Sequence, residues 1–498
     1  MLMGTLRFAI EPPQLAEERP ELALAYITGI DRMPSRTHVE LSKGLLSCSR
    51  GIPESGTLNV PWQVDGCGQI MLRTATLRER IEPYHLHVEL ARGKVNQLRN
   101  QAADWDLMGM QMPSQLKNDL REAMHRLTPA LTGQSDPLQA ALAADRALAH
   151  TLRTAEELTR LYSEQVFNFR HQQYPQLNTL LACRVGKDAT AVWHSPEFCK
   201  AFNAVTVDLN WKDVEPAEGD YNWEPFDTLV DWCIENKLVI KGGPLIQWSQ
   251  NSLPAWLWLW EEDFDNLLNF MSDFIETVIS RYRGRIRLWE VTSRTNYGDA
   301  LSLDEEKRVR LTVRALRVAR EMDAEATYLV TLGQPWAEYM ARRDYEYSPL
   351  NFADALIRAD LGLGAIGLEL AMGYEKDASY SRDLLEISEM LDRYAMLGVP
   401  LHVSLAAPSG WSADDMASSG WSYGWGTWHG GWNEQTHADW LEQTIRLVTC
   451  KPYVQEVSCG HFSDAAPHEF ALGGLVRADG SAKPALERVL RLRKEHLR

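Results

Sequence analysis

The sequence predicts a (β/α)8 TIM barrel preceded by a small β-sandwich-like domain and a helical linker segment. Three observations predict it. After residue 175, eight short apolar runs alternate with amphipathic helical stretches; residues 1–92 alternate with a period of two; and residues 93–174 carry a helical period. Barrel strands are expected at Thr179–Arg184, Asn203–Leu209, Val239–Ile246, Arg287–Thr292, Thr327–Leu332, Gly364–Leu370, Leu401–Ala406 and Val454–Gly460. Between them, Leu303–Met322 is a representative helix, with Val309, Val313, Leu316 and Ala319 on one face and its charges on the other. In the first 92 residues, Leu6, Phe8 and Ile10, then Leu58, Val60, Trp62 and Val64, then Tyr84, Leu86, Val88 and Leu90 read as half-buried strands broken by RGIPESG and DGCG. Trp62 is the one candidate there for an exposed aromatic ring. In the helical segment, Asp136 and Pro137 form an N-cap and first-turn pair, and Leu138, Leu142, Leu148, Leu152, Leu158 and Leu161 follow on roughly one face.

Composition bounds the function. With 45% apolar and 24% charged residues the 498-residue chain is globular, and its length exceeds one ordinary core, so a barrel with an attached domain is expected. A net charge of -17 argues against nucleic acid and anionic membrane as partners, both of which require basic patches. Cysteines 48, 67, 183, 199, 233, 450 and 459 lack metal-ligand spacing and read as reduced, mostly core residues. The opening MLMGTLRFAIEPPQ has no charged leader followed by an apolar stretch, and the expectation is a soluble cytoplasmic protein. No cofactor and no metal is expected: a phosphate-cradling Gly loop, a GxSxG elbow and CxxC are all absent, and His429, Glu434 and His437 fit no common metal spacing.

From 176 to 495 the chain resembles glycoside hydrolase family 10, the xylanases. The likeness runs through FNAVTVDLNWKDVEPAEGDYNW, KLVIKGGPLIQWSQNSLPAWLW, RYRGRIRLWEVTSR, AIGLEL, LGVPLHVSL and DGSAKPALERVL. It implies a barrel with its active site at the C-terminal strand ends, and it implies departures at the functional positions. Arg294 stands where the family has its acid/base Glu, and Leu405 where it has its nucleophile. Asn210 replaces an active-site Lys, Trp248 a sugar-contacting His and Ser293 the Asn before the acid/base. Glu369 and Ala371 replace a Gln and a His, and Gly460 a Trp, while Asp464 matches.

A guanidinium stays protonated and cannot act as a general acid, and a leucine cannot trap a sugar cation, so the family mechanism has no carboxylate at either position. Glu290, four residues before Arg294, is expected deep in the barrel as a paired core acid. The sugar-holding lining is expected to persist. Sixteen of 18 tryptophans fall between 193 and 440, five of them within GWSADDMASSGWSYGWGTWHGGW, residues 410–432. Indole faces stack on pyranose rings, so the substrate-binding candidates are Asn210, Trp248, Ser293, Arg294, Trp336, Trp425 and Trp428, with Trp256 beside them. Arg294 either binds an acidic sugar or pairs internally, for example with Glu369, which it would then hold ionised.

Three functions fit: a catalytically degenerate barrel that binds a β-linked oligosaccharide or polysaccharide fragment; an active glycosidase using relocated acids from Asp208, Glu369 and Asp464; or a structural or assembly protein using the barrel as a block. The sequence leaves the sugar and the oligomeric state open.

Overall fold

The computed structural model describes residues 4–188, 190–193, 195–298, 300–375, 377–417 and 422–498. Its larger part is a closed, all-parallel barrel. In order, the strands are Leu180–Val185, Ala204–Val207, Val239–Gly242 continued by Ile246–Gln247, Leu288–Ser293, Thr327–Leu332, Leu363–Ala371, Leu401–Ala406 and Val454–Cys459. Each pairs with its sequence neighbours, and the eighth closes on the first with Glu456 opposite Leu180 and Cys459 opposite Cys183. The expected strands fall in place to within about two residues. The third was expected to be continuous and is interrupted at Gly243, where φ is +116° and a Cβ would lie 2.2 Å from the Glu290 carbonyl. Only glycine fits there.

Alternation along the strands builds two cores. Outward residues such as Trp289, Val291, Val403 and Leu405 join one large apolar cluster with the surrounding helices. Inward residues are unusually polar. Glu290 is 2% exposed, as the sequence predicts, with Lys241 Nζ at 3.8 Å, while Lys241 and His402 pair with Glu456. Burial pushes the Glu456 carboxyl up, but Lys241, assisted by the contact with His402, prevails and brings it down to about 2.

Ahead of the barrel lie two four-stranded sheets and three long helices, Leu86–Leu107, Ser114–Thr132 and Pro137–Gln173. The two sheets and the helices share one apolar cluster, which also takes in Leu385 of the barrel. Three sequence expectations are corrected here. Leu86, Val88 and Leu90 start a helix; nearly every position of its first turns is buried, so a period of two and a period of 3.6 are indistinguishable in that stretch. Trp62 is 1% exposed, buried against the edge of His87 at 4.8 Å, and offers no ring to a ligand. Asp136 does cap its helix, accepting from Gln139 N–H at 3.2 Å, and Leu148, Leu152 and Leu158 are buried as expected, but Leu138 and Leu142 are exposed; in the first turns the packing face is made by Ala140, Ala144 and Ala147, whose small side chains allow close helix approach.

The tryptophan-rich segment fastens the sheets to the barrel. Thr427 N–H donates to the Gln69 carbonyl at 2.8 Å, His429 N–H to the Cys67 carbonyl at 2.9 Å, and Met71 N–H to the Ser381 carbonyl at 2.9 Å. Lys94 and Asp383, both buried, add an ion pair of 2.7 Å across the same seam. All seven cysteines are free thiols. Among the described residues, no helix is long and apolar enough to cross a membrane.

Candidate functional site

At the C-terminal mouth of the barrel, consecutive strands place ionisable side chains around a cavity of about 390 Å³. Arg184 is the last residue but one of the first strand, Asp208 follows the second, Gln247 ends the third and Arg294 follows the fourth; Glu469 enters from the loop after the eighth. Arg294 occupies the centre and is 2% exposed. Its backbone is left-handed, with φ at 59°, and Arg294 N–H donates to the Thr331 carbonyl. The guanidinium grips Glu369 through two donors, Nε to Oε1 at 3.0 Å and Nη2 to Oε2 at 2.7 Å, and donates Nη1 to Glu469. Gln247 Nε2 donates to Glu469 at 3.1 Å, and Arg184 lies 3.8 Å from the same carboxylate. Of the two alternatives for Arg294, the internal pair is the one realised.

Electrostatics separate the carboxylates. Burial raises the Glu369 carboxyl above its ordinary range, Arg294 opposes, and burial prevails, which corrects the expectation that Arg294 lowers it and holds it ionised. Asp208 is pushed up to about 6, first by burial and then by Asp213 and Glu469, against Arg184. Its Oδ1 has no hydrogen-bond partner among the described residues. The cavity wall includes Asp208, Arg294 and Glu469, while Glu369 stands behind Arg294.

The other sequence candidates divide. Asn210 lines the cavity and caps the short helix Trp211–Val214, accepting from Asp213 N–H at 3.0 Å. Ser293 is 1% exposed and gives its carbonyl to Trp248 N–H. Leu405 packs outward among the helices; His402 and Ser404 are the inward residues of that strand, so alternation turns Leu405 away from the mouth. Trp248, Trp336 and Trp428 are 2%, 6% and 2% exposed and belong to the barrel core, Trp336 beneath the Arg382 guanidinium at 4.7 Å. Trp256 is partly buried, its Nε1 donating to the Glu215 carbonyl at 3.3 Å. Trp425 is half-buried and lines a second cavity, and Trp421 lies outside the described residues. Asp464 is held by His461 at 3.0 Å, by Lys483 and by Gly474 N–H at 2.9 Å, a bracing role for the last barrel loop.

Arg184, Gln247 and Glu469 were missed in the sequence. The available signal was a single cation at the end of the apolar run LLACRV and a carboxylate in APHEF after the last strand; only closure of the barrel brings them to Arg294.

His461, Asp464 and His468 have ligand atoms within 4.8 Å of one another. The set does not suit a metal. Asp464 already pairs with Lys483, and both His468 ring nitrogens face acceptors, the Ala466 carbonyl at 2.8 Å and Asp414 at 2.9 Å. His429 pairs with Glu156, Glu434 with Arg477, and His437 is buried, so these three do not converge.

Buried histidines make the fold acid-sensitive. Burial, assisted by Lys483, lowers His437 from 6.5 to about 3, and burial lowers His461 to about 4 despite Asp464. Between those values and 6.5 the unfolded chain binds more protons than the folded one, so this contribution is full above 6.5 and lost as the pH falls. Asp208, raised from 3.8 to about 6, acts in the opposite sense, as do the raised Glu89, Glu338 and Glu369 carboxyls and the raised His429, while His496, lowered to about 4, adds to the two histidines. The denaturation midpoint is expected to drop between pH 7 and pH 5, with a shallower drop in His437→Leu. A midpoint that holds or rises would contradict neutral buried histidines.

Residues 188–404 match the family model for glycosyl hydrolase family 10. Over these residues the barrel is similar to glycosyl hydrolase family 10. The family match covers less than half of the chain and ends within the seventh strand. Endo-1,4-beta-xylanase B of Thermotoga neapolitana is 26% identical over 216 residues, 41% of this chain and 58% of its own length. Endo-1,4-beta-xylanase B of Paenibacillus barcinonensis is 27% identical over 220 residues, 41% of this chain and 62% of its own. The chain thus spans less than two thirds of these curated relatives. Among solved structures, xylanase 10B of Thermotoga petrophila in complex with xylobiose aligns with a TM-score of 0.47 at 17% identity, covering 63% of this chain and 94% of that one.

Proposed function

We propose that this family 10-like barrel is catalytically degenerate and binds a β-linked oligosaccharide or polysaccharide fragment in the cavity at its mouth. The observation that carries the reading is the state of Arg294: a permanently charged group at the centre of the mouth, clamped by Glu369 and Glu469, so that neither carboxylate is free for proton transfer or nucleophilic attack. In this reading the residues aligned with the family's two catalytic glutamates are Arg294 and Leu405, and the inward residues of the seventh strand, Ser404 and Ala406, add no acid. The cavity retains hydrogen-bonding groups for sugar hydroxyls, among them Asn210, Asp213, Gln247 and Ser249.

The curated relatives are endo-1,4-beta-xylanases, which makes xylohexaose the first probe. Calorimetry is expected to find weak binding, reduced at least about tenfold, or about 1.4 kcal/mol, in Asn210→Ala/Gln247→Ala. Because Arg294 is consumed internally, neutral and uronic-acid oligosaccharides are expected to bind alike. Absence of binding to xylan, glucan and mannan fragments would leave the assembly role, a rigid block joined to the sheets and helices, as the better reading.

One observation favours a second reading. Asp208 faces the cavity with an unpartnered oxygen and a carboxyl held at about 6, the state of a general acid near neutral pH. An active glycosidase with relocated acids would be built on it.

A further inference from the structure

A second cavity of about 340 Å³ lies off the barrel axis, at the seam between the N-terminal sheets and the barrel. It separates two small apolar clusters that stand apart from the main cores. One is Tyr26, Met71, Ala341 and Tyr380, with Trp425 packed against it; the other is Tyr297, Ala337, Tyr339 and Met340. The walls are aromatic and braced. Tyr297 and Tyr339 stack with centroids 5.5 Å apart, and the Trp425 carbonyl accepts from Ser381 N–H at 2.9 Å.

The polar groups of the wall are largely committed. Glu338 accepts from Tyr380 N–H at 3.0 Å and pairs with Arg382, Tyr339 donates its hydroxyl to the Tyr347 carbonyl at 3.2 Å, and the Tyr26 hydroxyl accepts from Arg382 at 2.9 Å. Two cations are not committed. Arg342 and Arg343 line the cavity, and neither guanidinium has an ion-pair or hydrogen-bond partner among the described residues.

We propose that this seam cavity binds a planar aromatic carboxylate, its ring between the tyrosines and Trp425 and its carboxylate on Arg342 and Arg343. A guanidinium binds a carboxylate through two parallel hydrogen bonds, and an aromatic body satisfies walls that a hydroxyl-covered sugar would leave mismatched. The volume lies within the range of small-molecule sites. Leu24, Tyr26 and Met71 come from the N-terminal part ahead of the family 10 match, so the site depends on that attached part and stands independently of oligosaccharide binding at the mouth.

The test is calorimetry on the full chain with 2-naphthoate and with 2-naphthylmethanol, which keeps the rings and removes the charge. The acid is expected to bind at least about tenfold more tightly. Arg342→Gln/Arg343→Gln should abolish that preference and leave the alcohol's affinity unchanged; both side chains are exposed, and circular dichroism verifies the fold. Trp425→Ala should weaken both ligands, and saturating xylohexaose should displace neither. No binding of either compound, equal affinities, or a preference that survives the double substitution would overturn the proposal. Displacement by xylohexaose would make the cavity a sugar subsite and overturn it equally, while leaving the mouth reading to its own test.

Discussion

Arg294→Met is expected to destabilise the protein by about 3–5 kcal/mol at pH 7, the cost of leaving buried carboxylates without their cation. The variant keeps the length and much of the volume of the side chain and removes the hydrogen bonds to Glu369 and to Glu469. The deficit should shrink as the pH is lowered toward 5, because burial already raises the Glu369 carboxyl, and its protonation removes the uncompensated charge. Arg294→Met/Glu369→Met should recover most of the loss, since a well-packed apolar pair replaces a buried ion pair at little cost. Chemical denaturation of the three proteins at two pH values makes the comparison. A single variant within about 1 kcal/mol of the parent would mean that the pair contributes nothing to the fold, and the case for Arg294 as a structural plug would collapse.

Turnover is the second large effect. On the proposed reading, the purified protein releases no reducing ends from xylan, glucan or mannan. A retaining glycosidase needs a carboxylic acid and a carboxylate about 5–5.5 Å apart across the sugar bond. At this mouth Glu369 and Glu469 hold Arg294, and Asp464 braces the last loop through His461 and Lys483. Asp208 is the strongest challenger. If a glycoside is hydrolysed and Asp208→Asn lowers the rate by about 10²-fold or more with folding intact, Asp208 acts as general acid and the degenerate reading is wrong. Glu369→Gln is a weaker discriminator, because Glu369 lies behind Arg294 and its loss also disturbs the clamp.

The contrast between Trp428 and Trp425 explains why the binding lining was less legible than the barrel. Both stand in a glycine-rich run after the seventh strand and read alike as exposed stacking platforms. In the fold the run pairs with the edge of the strand Gly68–Arg73, more than 300 residues earlier, and this turns Trp428 into the core and leaves Trp425 at the seam. Glycines in it serve close backbone approach: a Cβ at Gly426 would lie 2.4 Å from the Gln69 carbonyl. A local pattern carries no information about a partner that distant.

What the sequence determined by itself is the barrel and the chemistry of single positions. Strand and helix periods are local, repeated eight times, and each repeat needs the others to bury its apolar face, so the strand ends were readable to within about two residues. The identity of residue 294 is likewise local, and an arginine cannot become an acid in any environment. Tertiary structure alone decided which groups meet. Closure of the barrel brings Arg184, Gln247 and Glu469 to Arg294, strand alternation turns Leu405 outward, and docking of the N-terminal sheets creates an aromatic cavity from residues as far apart as Tyr26 and Trp425. The reason is the same throughout: charge state, burial and partnership are properties of neighbours in space, and in a closed barrel those neighbours come from every part of the chain.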